Sequence, residues 1–159
     1  VICLRHGQDL LAIDEIVMYG SNTDEMVAEI KDRYPDRHCI IYPDPASRQR
    51  KTSAGGRTDL SILQNAGFSV KAKKAHPLVR DRINAVNSRL LSGDGERHLF
   101  VSPKCKQTIK SLERQTYKEG TSIPNKDGTD HMNDALGYLV EYLFPIRTEY
   151  NTTQPTRWT

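Results

Sequence analysis

"RHCIIYPDP", residues 37–45, decides how the rest of the chain is read. Cys39, Ile40, Ile41 and Tyr42 follow one another without polar alternation, and Pro43 and Pro45 stop them. An unbroken apolar run of that length, bounded by prolines, is the pattern of a short buried strand. Asp44 stands between the two prolines, at the carboxyl end of that strand. In open α/β sheets the reactive groups collect at such ends. An aspartate that merely caps a turn would look the same, and local chemistry does not separate the two readings.

Working upstream, "SNTDEMVAEIKDRY" (21–34) predicts a helix, with Ser21, Asn22 or Thr23 as cap, acids in the first turn, and Met26, Val27, Ile30 and Tyr34 along one side. Before it, "VICLR" and "LLAIDEIVMYG" read as two hairpinned strands joined through "HGQD". The chain opens on apolar residues with no turn or cap ahead of them, which suggests a strand whose upstream neighbour lies outside this sequence. Downstream, "TDLSILQNAG" predicts a brief helix from a Thr58 cap to a Gly67 stop, and "FSVKAK" a strand. "HPLVRDRINAVNSRLL" then predicts a helix with Pro77 near its first position, and "RHLFVSP" a short strand. "PKCKQTIKSLERQTY" and "TDHMNDALGYLVEYLF" give two closing helices. A hairpin followed by alternating helices and strands points to an α/β fold, a mixed sheet flanked by helices. Residues 1–145 are expected to form one domain, and the polar, aperiodic stretch 146–159 a tail.

The composition fits that reading. With 159 residues, 27% charged and 36% hydrophobic, the chain suits one globular domain that needs no disulfide or metal staple. No apolar run approaches membrane length and no secretory signal opens the chain, so the cytosol is the default expectation. Cys3, Cys39 and Cys105 have no metal-type spacing and read as reduced thiols. A net charge of +3 is too small to name a partner.

"GTDHMNDALGY" (128–138) supplies the second acidic feature. Asp130 and Asp134, four apart on a helix, project from one side with roughly 6 Å between Cβ atoms. Such carboxylates repel unless a cation or proton lies between them, and with Asp44 they would form an oxygen set suited to Mg²⁺ or Mn²⁺. The plainer reading is a surface helix. On a helical wheel Met132, Ala135, Leu136, Leu139, Val140 and Leu143 make the buried stripe, and Asp130, Asp134 and Glu141 the solvated face beside Tyr138. Thr129 is then the cap. Two basic segments could hold phosphates: "RQRKTSAGGR", with Arg48, Arg50, Lys51 and Arg57, and "KAKKAHPLVRDR", with Lys71, Lys73, Lys74, Arg80 and Arg82. Gly55 and Gly56 would allow close backbone approach in the first. Few aromatics accompany them, which favours salt-sensitive backbone binding over base stacking.

Four stretches in order, "IIYPDPASRQRKTSAGGRTDLSILQNAGFSV", "HPLVRDRINAVNSRL", "VSPKCKQTIKSLERQTYKEG" and "DHMNDALGYLVEYLFP", resemble the C-terminal nuclease domain of the large terminase subunit of tailed bacteriophages. The resemblance spans about residues 1–145. It implies a ribonuclease H-like fold and a DNA endonuclease that cuts concatemeric double-stranded DNA at the initiation and termination of genome packaging. It puts Asp44 at the second acidic position, Asp134 at the acid of the closing helix, and Asp130 at an accessory acidic position. The family's first catalytic aspartate belongs to an opening strand before the one that "VICLR" resembles, so one strand and one ligand are expected to be missing from this chain. Asp14 does not replace it, because "LLAIDEIVMYG" matches a later strand. Two Mg²⁺ or Mn²⁺ ions are the implied cofactors, activating water and neutralising the leaving oxygen. The implied partners are double-stranded DNA, an ATPase domain of the same polypeptide, the portal protein and the small terminase subunit. The implied location is the cytoplasm of the bacterial host, with transient docking on the procapsid. Two other readings stay open: a noncatalytic DNA-gripping or portal-docking module, in which binding survives without cleavage, and another ribonuclease H-like nuclease such as a junction resolvase, which would prefer branched DNA.

Overall fold

The computed structural model describes residues 1–49, 56–121 and 123–146. Strand β1 (Ile2–His6) turns at Gly7, whose φ of 60° suits a residue without a side chain, into the antiparallel strand β2 (Asp9–Asp14). Helix α1 (Thr23–Arg33) starts at Asn22, whose side chain accepts from the Glu25 amide while the Glu25 carboxylate accepts from the Asn22 amide. That reciprocal cap satisfies two helix-start donors from local sequence alone. Strand β3 (Ile40–Ile41) leads to a short 3₁₀ turn, Pro45–Arg48. Helix α2 (Asp59–Asn65) carries a second reciprocal cap, between Thr58 and Ser61, and Gly67 follows at φ 90°. Strand β4 (Ser69–Val70), helix α3 (Val79–Leu90), strand β5 (Leu99–Val101) and helices α4 (Lys106–Arg114) and α5 (Asp130–Leu143) complete the order.

The strands form two sheets. β2 is central in the first, antiparallel to β1 and parallel to β5; β3 and β4 pair in parallel in the second. Along β2 the pleat alternates, with Leu10 and Ala12 buried and Leu11 outward. The inward residues meet α3 and α5 in one cluster of Leu10, Ala85, Val86, Leu99, Leu136 and Val140. The outward stripe Leu4, Leu11 and Phe100 is exposed, each residue paired in register with the next.

Three local expectations change. The strand read through Tyr19 ends at Asp14, because the next residue leaves the sheet: Glu15 turns to accept from the amides of Gln107 and Thr108 and from the Thr108 hydroxyl, each at 2.8 Å. α4 has no side-chain cap of its own at Cys105, so this distant carboxylate satisfies its first turn. Pro77 lies before the helix cap rather than at the first helical position, since Leu78 is the cap of α3. Thr129 makes no cap bond to α5; its amide and hydroxyl donate to Asp127 instead.

Candidate active site

The polar face of α5 is only partly solvated. Asp130 and Glu141, read as surface acids on the wheel, are buried, while Ala135, read as core, is exposed. α3 and the segment after β4 cover that face, and they do so with cations. Lys73 forms an ion pair with the buried Glu141, and Arg82, only 6% exposed, donates from Nη1 to Asp134 Oδ1 at 2.7 Å. Buried charge persists only where it is paired, so the helix carries acids on this side because basic partners meet them there.

Asp44 reaches the same helix from the end of β3. Its Oδ1 accepts from the Ala46 amide at 2.8 Å, capping the 3₁₀ turn as the structural reading of "PDP" expects. Its Oδ2 accepts from the Tyr138 hydroxyl at 3.0 Å, and His76 Nδ1 stands 3.4 Å from Oδ1. Tyr138 is one helical turn after Asp134, and the Arg82 guanidinium lies over its ring at 4.3 Å. The sequence Asp44, Tyr138, Arg82, Asp134 is therefore one connected network. Burial is the main cause that pushes the Tyr138 hydroxyl up to about 12, with the bond to Asp44 adding to it. The phenol accordingly remains a donor across the physiological range.

Asp130 stands apart from that network. It is the first residue of α5, and its Oδ1 accepts from the Gly128 amide at 3.2 Å. Among the described residues, no group of three or more His, Cys, Asp or Glu side chains is arranged to hold an ion. Asp44 and Asp134 nevertheless remain 48% and 40% exposed at their side chains. Two open carboxylates are hard oxygen donors of the kind Mg²⁺ uses when it keeps several waters and takes further oxygens from a phosphate. The donor type fits that mode of binding; a closed all-protein cage is not present among the described residues. A cleft of about 230 Å³, bounded by α3, α4, α5 and the segment around Tyr117 and Pro124, opens at Arg82 and Asp134.

The basic residues divide sharply. Arg50 and Lys51, with Gly55, lie outside the described residues. Arg48 donates to the Ala72 carbonyl at 3.0 Å from an exposed position, and Arg57 pairs with Asp24 at 3.3 Å. Lys74 is exposed, Lys73 is held by Glu141, and Arg80 lies 3.5 Å from Asp81. Arg82, counted in the second basic segment, is too deeply buried to meet a phosphate. Tyr138, His76 and the pairing role of Arg82 were not readable from spacing. The one trace was Gly137, an unfavourable residue inside a helix: a Cβ there would lie 3.4 Å from Arg82 Cβ, at contact distance, so α3 passes close to α5 at this point.

Residues 2–143 match the sequence profile of the terminase RNaseH-like domain. This chain belongs to that family. The terminase RNaseH-like assignment agrees with the α/β order, with a mixed sheet and helices against it. It also supports a terminase domain of nuclease type. No curated protein and no solved structure matches the chain. No helix among the described residues is long and apolar enough to cross a membrane.

Proposed function

We propose that this terminase domain is a divalent-metal-dependent endonuclease that cuts double-stranded DNA during genome packaging. The observation that carries the reading is the convergence of Asp44, from a strand tip, and Asp134, from α5, on one connected network while both side chains keep solvent access. Asp44 and Asp134 would hold Mg²⁺ or Mn²⁺, with Asp130 supporting the helix start beside them. The bound ions would supply charge neutralisation at the phosphate and lower the pKa of a water so that it can lose a proton and act as the nucleophile. The residues of the chain do the rest. Tyr138 keeps a proton on its hydroxyl and fixes the rotamer of Asp44, and Arg82 fixes that of Asp134. Arg48, Arg57 and Lys74 are exposed enough to meet backbone phosphates, and Arg50, Lys51 and Lys73 are proposed with them; sequence-independent binding of that kind weakens steeply with salt. DNA, an ATPase domain of the same polypeptide, the portal protein and the small subunit are the partners proposed from the family, in the bacterial cytoplasm at the procapsid.

The test is nicking of supercoiled plasmid with Mg²⁺ or Mn²⁺, by the chain alone and by a longer polypeptide that includes any upstream strand. Metal-dependent nicking that disappears in Asp44→Asn and in Asp134→Asn is expected. DNA binding that persists while both polypeptides fail to cut with either metal would leave only the gripping-module reading, and a strong preference for branched over linear duplex would favour the resolvase reading.

A further inference from the structure

Arg82 engages Oδ1 of Asp134, one of the two carboxylate oxygens that a metal ion could use. Arg82 is buried, its Nε has no hydrogen-bond partner, and one Nη1 bond to Asp134 is its ion pair. The guanidinium is confined by the Tyr138 ring on one side and by the α5 backbone at Gly137 on another. Its position is thereby restrained on the sides that face Tyr138 and Gly137. Asp44 is different: its donors are the neutral Tyr138 hydroxyl and the Ala46 amide, with His76 nearby in an exposed position. At Asp134 an incoming ion would meet a like charge held 2.7 Å from Oδ1 by a guanidinium that is itself buried.

We propose that Arg82 is a resident counter-ion that antagonises divalent-cation binding at Asp134, so that the site loads weakly on the free protein and fills when DNA phosphates bring their own negative charge. The inference rests on Asp134 being a metal ligand, and it makes Arg82 a positioning residue acting through that carboxylate. It also explains the choice of arginine, whose planar group stacks on Tyr138 while remaining charged at any accessible pH. Arg82 and Asp134 both line the cleft between α3, α4 and α5.

The experiment uses the 159-residue chain and Mn²⁺ alone, with free Mn²⁺ read by electron paramagnetic resonance and binding read by thermal shift. Arg82→Met, close in volume but neutral, is expected to bind Mn²⁺ about tenfold more tightly than wild type, roughly 1.4 kcal/mol, while Arg82→Lys stays within about threefold. A short duplex should tighten Mn²⁺ binding to wild type more than to Arg82→Met. Equal or weaker binding by Arg82→Met overturns the proposal. Should that variant not fold, Mg²⁺ titration of the wild-type chain followed by the arginine Nε–H signals replaces it, with the Arg82 signal identified by its absence in Arg82→Lys. The signal is expected to move as the ion displaces the pair; a stationary signal under saturating Mg²⁺ overturns the antagonism. If Asp134→Asn binds Mn²⁺ as wild type does, the ligand role of Asp134 itself is wrong, and that failure is distinct from an unchanged Arg82→Met.

Discussion

Two strands of this molecule end in acids, and the two ends are put to opposite uses. At the end of β2, Asp14 accepts from the Tyr34 hydroxyl at 2.7 Å and from Arg33 at 3.3 Å, and Glu15 receives three donors from the first turn of α4. These bonds tie α1 and α4 to the end of the strand, and Asp14 keeps 29% exposure. At the end of β3, Asp44 is half exposed, meets a tyrosine hydroxyl and one amide, and faces α5 where Asp134 is also open to solvent. A carboxylate at a strand tip is thus not a functional signal in itself. What distinguishes the second end is greater solvent access, 48% for Asp44 against 29% for Asp14, beside a second open carboxylate on α5.

That contrast can be broken by removing the acids one at a time. The largest expected effect is on cutting: Asp44→Ala and Asp134→Ala should each lower metal-dependent plasmid nicking by more than about 100-fold, beyond the 10–100-fold typical of losing a residue that only supports a ligand. Glu15→Ala should leave the Mn²⁺ response intact yet lower unfolding stability by about 1–3 kcal/mol in a urea titration, because three donors of α4 lose their acceptor. A nicking defect in a folded Glu15→Ala protein would erase the distinction between the two ends. Within the candidate site the stability costs should also differ. Asp134→Ala strands a buried guanidinium and should cost about 1–2 kcal/mol, whereas Asp44→Ala removes an exposed turn cap and should cost about 0.5–1 kcal/mol. Equal losses would mean that Arg82 finds another partner.

The smallest effect is on acid stability. The Tyr34 hydroxyl, followed by the amide of Glu15 and by Arg33, holds the Asp14 carboxyl below its ordinary range against the opposing cost of burial. Its folded value is depressed, so its contribution to stability is fully present above the unfolded value of about 3.9 and is lost as pH falls through the folded value. Asp14→Asn should therefore flatten the dependence of stability on pH below about 4, measured by denaturant titrations at several pH values. An unchanged slope would show that Asp14 is not held as the geometry indicates.

Features set by near neighbours were legible in the sequence. Thr58 and Gly67 mark the ends of α2, and the sequence narrows the start of α1 to Ser21, Asn22 or Thr23, of which the structure selects Asn22, because each cap bonds within three residues of itself. The order of strands and helices and the acids Asp44 and Asp134 follow from periodicity, proline stops and family likeness. The wheel for α5 failed in one definite way: it assumed that acids face water. Glu141 is buried against Lys73, and Arg82 covers Asp134, because α3 and Lys73 arrive from over 50 residues away along the chain; Asp130 is buried at the helix start. The strand ending at Asp14 failed for a similar reason, since Glu15 bonds to a helix 92 residues downstream.

By itself, then, the chain determined its α/β class, most helix starts and the acids worth suspecting, since each of these depends on contacts a few residues long. Tertiary structure alone decided which acids are consumed by the fold and which stay open, and that Tyr138 and Arg82 join Asp44 to Asp134. Those outcomes depend on where a buried cation or phenol from a distant segment comes to rest, and the penalty for leaving such a group unpaired is settled only when the segments pack.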